Sequence, residues 1–238
     1  MSSNKLTKYI DHFNFDEFHC DFDNVYILSD SKGKYLQSVL QPTLSKFNTT
    51  INTNFQFLSY PGLDTKKGFL QFTHFLTVNQ TCQQTNSKVL FWFGTCDVTS
   101  MNKATRELAI NEPLGDVADS MVTLFNEVTR ISKDYGISPG ILHIPPIFPN
   151  TWNREQEIYD DKIDEIQLNE FIKTMNQTIT EINSNHYTSP IFAIDFLTSK
   201  RSHNKRKHMK DMHTTDGVHP NQTLSQKWLL QIMRSVTL

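Results

Sequence analysis

Cysteine is scarce in this chain, whose 238 residues include only Cys20, Cys82 and Cys96. The odd number and the spacing match no zinc or redox pattern and disfavour a disulfide framework. Residues 1–19 are polar and lack the apolar core of a secretory signal. Reduced thiols and the missing signal lead us to expect a cytoplasmic protein.

Long apolar runs and an excess of charge of one sign are also missing. No run approaches the roughly 20 apolar residues that a membrane-spanning helix needs. The formal net charge of -2 gives the whole molecule no reason to bind nucleic acid or an anionic membrane. The length suits one full-sized α/β domain rather than two. We expect residues 24–238 to form this domain and residues 1–23 to be an N-terminal extension; the oligomeric state stays open.

Short apolar runs alternate with segments of helical period along the chain. The runs that predict strands are 25–28, 55–60, 89–93, 141–144 and 191–196. The helical periods cover 68–78, 114–131, 163–182 and 224–233, and an earlier one begins near Tyr35, where Pro42 should end or kink the helix. Apolar strands separated by helices predict an α/β fold with a parallel sheet covered on both faces.

Three polar residues lie where such a sheet gathers its ligands, outside the carboxyl ends of the strands. Ser31 follows the first predicted strand by one tight turn, so its hydroxyl can project into a cleft. His219 could take the serine proton, and Asp216, three residues earlier, could orient the imidazole and stabilise its cation. This arrangement predicts a Ser-His-Asp hydrolase. The chain has no G-x-S-x-G elbow, Walker A motif or dinucleotide fingerprint that would favour another class.

Four short motifs, in order, resemble those of the SGNH/GDSL hydrolase superfamily. They are Ser29-Asp30-Ser31, Pro61-Gly62-Leu63-Asp64-Thr65, Gly94-Thr95-Cys96-Asp97 and Asp216-Gly217-Val218-His219-Pro220-Asn221. Asn169, near the start of a predicted helix, also fits a common feature of that superfamily. The resemblance implies a three-layer, flavodoxin-like α/β/α sandwich with a five-stranded parallel sheet in the order 2-1-3-4-5. It also implies cofactor-free and metal-free hydrolysis of esters, with Ser31, His219 and Asp216 as the catalytic triad.

The resemblance further implies an oxyanion hole formed by Ser31, Gly62 and the residue at position 96. Substrate contacts are implied at Asp30, Gly94 and Thr95. The superfamily has an asparagine donor where this chain has Cys96, and a thiol is a weak hydrogen-bond donor. Losing one oxyanion donor typically lowers kcat by about 10²–10³. Three alternatives follow: a slower hydrolase, a donor supplied from elsewhere, for which Asn102 is a candidate, or an impaired enzyme that keeps the cleft for binding. A nucleophilic Cys96 is disfavoured because nothing nearby in the sequence would activate it.

Hydrolysis of a small acyl ester, of the acetyl type, is the leading functional prediction, with a small-molecule, glycan or lipid alcohol as the other half. A basic run between residues 200 and 210 is either a solvated loop or a contact for a polyanion such as RNA, glycan or lipid headgroups. The alternative function is that of an impaired SGNH module that binds such a polyanion through this basic run. His203, His208 and His213 lack the Cys or acidic partners of a metal site. Asp97 is expected to tie loops together, and Trp152 and Phe148 to pack at the core or rim rather than line a pocket.

Overall fold

A computed structural model describes residues 10–15, 19–20, 22–79, 86–159, 163–185 and 216–236. The strands of this part are β1 Asn24–Ser29, β2 Asn54–Ser59, β3 Ser87–Trp92, β4 Thr99–Met101, β5 Leu108–Ile110 and β6 Ser138–Ile141. The helices are α1 Lys32–Lys46, α2 Thr65–Val78, α3 Thr95–Val98, α4 Leu114–Asp134, α5 Pro149–Glu155, α6 Glu165–Asn185 and α7 Gln222–Ser235.

The central sheet is parallel and has the order β2-β1-β3-β6. The predicted α/β class is therefore confirmed, and these four strands follow the first four positions of the expected order. The fifth predicted strand, 191–196, lies outside the described residues. Ser29 at the end of β1 stands opposite Ser59 on one side and Trp92 on the other. The carboxyl ends of three neighbouring strands therefore meet at one edge, directly before the segments that carry the predicted site.

Alternation along β1 divides the apolar core into two layers. Tyr26 and Leu28 pack with residues of α2, α4 and α6 on one face of the sheet. Val25 and Ile27 pack with residues of α1 and α7 on the other face. Because successive side chains of a strand point to opposite faces, a strand that is apolar throughout needs helices on both sides. This arrangement is why continuous apolar runs, rather than alternating ones, were the correct strand signal.

The predicted N-terminal extension contributes to the second of these layers. Ile10 and Phe13, which precede the first strand, are 2% and 6% exposed. They belong to the same apolar cluster as Val25 and Trp228. These two side chains therefore take part in the core on the α1 and α7 face of the sheet.

The first helix does not end at Pro42, so this part of the prediction was wrong. Helix α1 runs on to Lys46. A proline inside a helix removes one hydrogen bond and clashes with the preceding turn, at a cost of about 3 kcal/mol. Leu36 and Val39 are buried before the proline, and Leu44 is buried after it. Apolar packing on both sides of the proline offsets the local cost, and α1 also packs against α7.

The fourth strand begins three residues earlier than its apolar run predicted. β6 comprises Ser138–Ile141, and its Pro139 and Gly140 stand opposite Val89 and Leu90 of β3. Proline and glycine are poor strand residues, so pairing with β3 outweighs local propensity here. The antiparallel pair of β4 and β5 was not predicted either. Each of its strands is only three residues long, which is too short to carry a periodic signal.

Candidate active site

Ser31 occupies the junction between β1 and α1. It is the residue that precedes the first turn of α1, with φ -56° and ψ -23°. The junction must be tight, since a Cβ added to Gly33 would lie 2.2 Å from the Ser29 hydroxyl oxygen and 2.4 Å from that of Ser59. Glycine at this position therefore lets the helix start directly against the ends of two strands, which holds Ser31 at the edge of the sheet.

A buried ion pair fixes the residues on either side of Ser31. The Lys32 ammonium contacts the Asp30 carboxylate, and both side chains are almost fully buried. The Lys32 ammonium also donates to the Thr95 hydroxyl at 2.7 Å, and the Lys32 backbone N–H donates to Asp30 Oδ1 at 3.0 Å. These bonds connect the Ser31 turn to the segment that follows β3.

The Asp216 carboxylate organises the turn that carries His219. Its Oδ1 accepts the backbone N–H groups of Val218 and His219 at 2.9 and 2.7 Å, and its Oδ2 lies 2.7 Å from His219 Nδ1. His219 Nε2 in turn lies 2.9 Å from Ser31 Oγ, across 188 positions of sequence. Asn221 caps α7 by accepting the Leu224 N–H at 2.9 Å. The structure thus brings the three predicted catalytic residues into one hydrogen-bonded chain.

The charge state of Asp216 determines how this chain works. Burial pushes the pKa of Asp216 upward, but the bonds from the His219 side chain and from the His219 and Val218 backbone outweigh it, so the pKa lies below its ordinary value. The carboxylate is therefore ionised near neutral pH and can only accept hydrogen bonds. It holds the proton of a neutral imidazole on Nδ1 and leaves Nε2 as an acceptor toward Ser31.

Two aromatic side chains flank the His219 imidazole. The Tyr35 ring stacks near it, with centroids 5.1 Å apart and planes 28° apart, and the Trp152 ring lies 5.9 Å away. Tyr35 is one helical turn after Ser31, so both face the same side of α1. Its spacing from Ser31 was a usable signal that the sequence reasoning missed. Burial, and then the charge of Asp216, raise the pKa of Tyr35.

The Trp152 ring is held by the hairpin that follows β3. Its indole N–H donates to the carbonyl of Arg106 at 2.8 Å, and Arg106 has a left-handed φ of 62°. The next residue, Asn153, is buried and makes two bonds to the backbone of Leu108, at 2.7 and 3.0 Å. Helix α5 and the hairpin therefore support each other beside His219. Trp152 is half-buried, in keeping with the expected rim position.

The loop predicted to supply an oxyanion donor is a tight turn at the end of β2. Leu63 N–H donates to the Tyr60 carbonyl at 3.3 Å, and Gly62 has φ +76°. Proline followed by a glycine of positive φ fits a type II turn, in which a larger residue at Gly62 would be strained. Gly62 is exposed on the loop directly after β2.

Asp97 ties this loop to the segment after β3, as expected. Its Oδ2 accepts both the backbone N–H and the hydroxyl of Thr65, each at 2.8 Å. Burial raises the pKa of Asp97 to about 6, despite the bonds from Thr65 that act in the opposite direction. The two loops that carry Gly62 and Cys96 are therefore joined directly.

Cys96 lies in the short helix α3 and is half-buried. Burial, and then the negative charge of Asp30, raise the pKa of its thiol to about 12. The group is therefore a thiol at neutral pH, which disfavours a nucleophilic role and keeps its S–H available as a weak donor. Asn102, the candidate replacement donor, is exposed on the hairpin turn, where its side-chain oxygen accepts the Ala104 N–H at 2.9 Å.

The three residues predicted to contact substrate are buried. Asp30 is 1% exposed and Thr95 is 5% exposed, and both are bonded to Lys32. Gly94 has φ +127°, and a Cβ added there would meet the Ile144 side chain at 2.6 Å. Their burial supports a role in building the turns around Ser31 and gives no support to substrate contact.

Other predicted features fall outside the described residues, namely the basic run between 200 and 210 and the histidines at 203, 208 and 213. Within the described ranges, no cluster of His, Cys, Asp and Glu side chains could hold a metal ion. Nor does any helix in those ranges combine the length and apolar character needed to cross a bilayer.

Solved structures of hydrolases share this fold. A GDSL-like lipase from Bacteroides thetaiotaomicron is 14% identical, with a TM-score of 0.60 over 99% of this chain and 97% of that protein. A psychrotrophic esterase from Pseudoalteromonas is 13% identical, with a TM-score of 0.55 over 90% of this chain and 96% of the other. An acetyl xylan esterase is also 13% identical, with a TM-score of 0.57 over 90% and 100%. No curated protein matches the chain in sequence.

The sequence itself matches one family model over nearly its whole length. The model describes GDSL-like lipases and acylhydrolases, and the match covers residues 11–232. This range includes all four motifs and every described strand and helix up to most of α7. The chain therefore belongs to the GDSL-like lipase/acylhydrolase family.

Proposed function

We propose that this protein hydrolyses small acyl esters, of the acetyl type, with Ser31 as nucleophile, His219 as base and Asp216 as the group that orients the imidazole. The observation that carries the proposal is the continuous chain of short contacts from the Ser31 hydroxyl to the Asp216 carboxylate, 2.9 and 2.7 Å long. A serine is a weak nucleophile until a base in hydrogen-bonding reach takes its proton. Here His219 is that base, and Asp216 holds the imidazole proton on Nδ1 so that Nε2 can accept the Ser31 proton.

The reaction proceeds in two halves. Ser31 Oγ attacks the acyl carbon while its proton passes to His219 Nε2, and the carbonyl electron pair moves onto oxygen. Collapse of this intermediate breaks the bond to the alcohol oxygen, which takes the proton from Nε2, and Ser31 is left acylated. Water then attacks the acyl carbon and gives a proton to Nε2. A second collapse releases the carboxylic acid and returns the proton to Ser31.

The oxyanion of both intermediates is held by the backbone N–H groups of Ser31 and Gly62, with the Cys96 S–H as the third donor. Because the Cys96 thiol keeps its proton, it can donate, but more weakly than an amide. We expect kcat to be lower by about 10²–10³ than with a full amide donor at position 96. The proposed enzyme is therefore slow rather than inactive.

The small acyl group is the finer part of the proposal. The acetyl xylan esterase that shares the fold acts, by its name, on acetyl esters of a polysaccharide. The Trp152 ring lies 5.9 Å from the His219 imidazole, and we assign its apolar face to the alcohol side of the ester. Such a face suits the ring of a sugar or an aryl alcohol. If the acyl group is of the acetyl type, kcat/KM should decline from acetate to butyrate to octanoate esters of p-nitrophenol.

Turnover of p-nitrophenyl acetate tests the proposal, together with labelling by a fluorophosphonate probe. Ser31→Ala should abolish both turnover and labelling. Ser29→Ala is the matched control, because Ser29 lies two residues before Ser31 at the end of β1, is fully buried, and its hydroxyl donates to the neighbouring carbonyl of Asp30. That variant should keep both activities.

Turnover that survives Ser31→Ala would refute the assignment of the nucleophile. Absence of turnover with every ester, together with absence of labelling, would refute hydrolysis altogether. Salt-sensitive binding of RNA or heparin that persists in Ser31→Ala would then favour the impaired binding module.

A further inference from the structure

Three asparagines of α6 form a ladder along the chain that follows β6. Each side-chain amide makes two hydrogen bonds to the backbone of one isoleucine, accepting its N–H and donating to its carbonyl. Asn169 pairs with Ile147 at 3.0 and 2.9 Å, Asn176 with Ile144 at 2.8 and 2.8 Å, and Asn183 with Ile141 at 3.0 and 2.9 Å. The helix thus bonds both backbone polar groups of each of these three isoleucines.

The spacing of the ladder follows from elementary geometry. Side chains seven residues apart lie on one stripe of a helix, and seven residues advance it by about 10.5 Å. Three residues of an extended or polyproline chain advance by about 9–10 Å. Seven positions on α6 therefore match three on the segment 141–147. Pro145 and Pro146, which have no N–H group, fall between two pairs, where no N–H is needed.

The last pair of the ladder ends one residue from the backbone of the candidate active site. Phe148 follows Ile147, and its N–H donates to the carbonyl of Gly217 at 2.9 Å. The contact is close, since a Cβ added to Gly217 would lie 2.5 Å from the Phe148 carbonyl oxygen. Gly217 also has φ +86° and belongs to the turn between Asp216 and His219.

We infer that Asn169 is a positioning residue for His219, an inference that rests on the proposed Ser31 hydrolysis. Asn169 determines the position of Ile147 along α6. Ile147 in turn determines where the Phe148 N–H meets the Gly217 carbonyl. This contact fixes the turn that aims the His219 imidazole at Ser31 Oγ. Asn169 touches neither substrate nor the reacting atoms, and its effect passes entirely through the backbone of residues 147, 148 and 217.

Asn183 provides a matched control within the same ladder. It makes the same two bonds, from the same helix to the same segment, but about 21 Å farther along the helix from the Phe148 contact. Its side chain is also the more buried of the two, so its loss should destabilise the fold at least as much. A merely structural role for the ladder predicts equal effects of Asn169→Ala and Asn183→Ala on catalysis.

The experiment measures kcat, KM, the fluorophosphonate labelling rate and Tm for wild type, Asn169→Ala and Asn183→Ala. A displacement of about 1 Å at a reacting group can lower rates by about 10². We expect Asn169→Ala to lower kcat and the labelling rate by roughly tenfold to a hundredfold, with KM changed less than about twofold. Asn183→Ala should lower Tm by a similar or larger amount and keep kcat within about twofold.

Wild-type kcat and labelling in Asn169→Ala would overturn the inference, as would equal losses of kcat in both alanine variants. If Asn169→Ala does not fold, Asn169→Asp takes its place, since it keeps the acceptor for the Ile147 N–H and loses the amide donor to the carbonyls of Ile147 and Glu165. Unchanged kcat in a folded Asn169→Asp protein would then overturn it. A wild-type protein without turnover or labelling would refute both the proposed function and this inference. An active wild type with unchanged kcat and labelling rate in Asn169→Ala would refute the inference alone.

Discussion

Replacing Lys32 with methionine should destabilise the fold strongly, because the lysine ammonium is buried against the Asp30 carboxylate. The Lys32 side chain is 1% exposed, contacts the Asp30 carboxylate and the Thr95 hydroxyl, and lies 5.3 Å from the centre of the Trp92 ring. Methionine matches the length and apolar surroundings of the lysine stem. The substitution therefore removes the charge and leaves the volume almost unchanged.

The magnitude follows from what is left behind. The Asp30 carboxylate would keep the hydrogen bond from the backbone N–H of residue 32, at 3.0 Å. It would lose its only described cation while remaining buried. Breaking a buried ion pair in this way costs about 3–5 kcal/mol, whereas replacing both partners by neutral groups is often nearly neutral. We expect Lys32→Met to lose about 3–5 kcal/mol and the double variant with Asp30→Asn to lose less than about 2 kcal/mol.

Urea unfolding measures both quantities. With a slope of about 2 kcal/mol per molar urea, a loss of 3 kcal/mol lowers the midpoint by about 1.5 M. Lys34→Met is the control, because Lys34 is exposed on the same first turn of α1 and should change stability by no more than about 0.5 kcal/mol. A loss below about 1 kcal/mol in Lys32→Met, or a double variant that loses the sum of both single losses, would refute the buried-pair reasoning.

Three further predictions concern residues around the candidate active site. Cys96→Asn should raise kcat for p-nitrophenyl acetate by about 10²–10³ by restoring an amide donor, and an unchanged or lower kcat would count against the oxyanion argument. Since burial raises the pKa of Asp97 from 3.8 to about 6, the folded state holds this proton more tightly, and stability should fall by about 3 kcal/mol as pH rises through that window. Asp97→Asn should abolish that component of the fall in urea unfolding at pH 4 and pH 7, and equal pH dependence in the two proteins would contradict it. Trp152→Ala should lower kcat/KM for aryl acetates roughly tenfold while Trp152→Phe, which keeps an aromatic face, loses less; equal values in wild type and Trp152→Ala would exclude the ring from the alcohol side.

Local patterns were sufficient for the elements whose structure depends on neighbours in sequence. The continuous apolar runs before Ser31 and Gly94 became the buried strands β1 and β3, because a strand covered on both faces has no solvent side. Asn221 caps α7 within its own first turn. The Asp216 carboxylate reaches His219 within three residues. Contacts this short in sequence can be anticipated without knowledge of the fold.

Long-range packing decided what the local patterns misplaced. Pro42 remains inside α1 because the apolar residues around it are buried on both sides. β6 begins at Ser138, despite a proline and a glycine, because β3 offers it a partner. The hairpin of β4 and β5 is held by Asn153 of a later helix, which no pattern in the hairpin itself could indicate.

The sequence by itself determined which chemistry is available: a serine after a buried strand, a histidine with its carboxylate one turn away, and a cysteine in place of an amide. Only the tertiary structure decided how those groups are used. It placed Ser31 Oγ 2.9 Å from His219 Nε2, set Tyr35 and Trp152 around the imidazole, and ended the asparagine ladder of α6 beside Gly217. The reason is that side-chain type and local turns are properties of neighbouring residues, whereas distances across the sheet edge depend on how both helical layers pack against the strands.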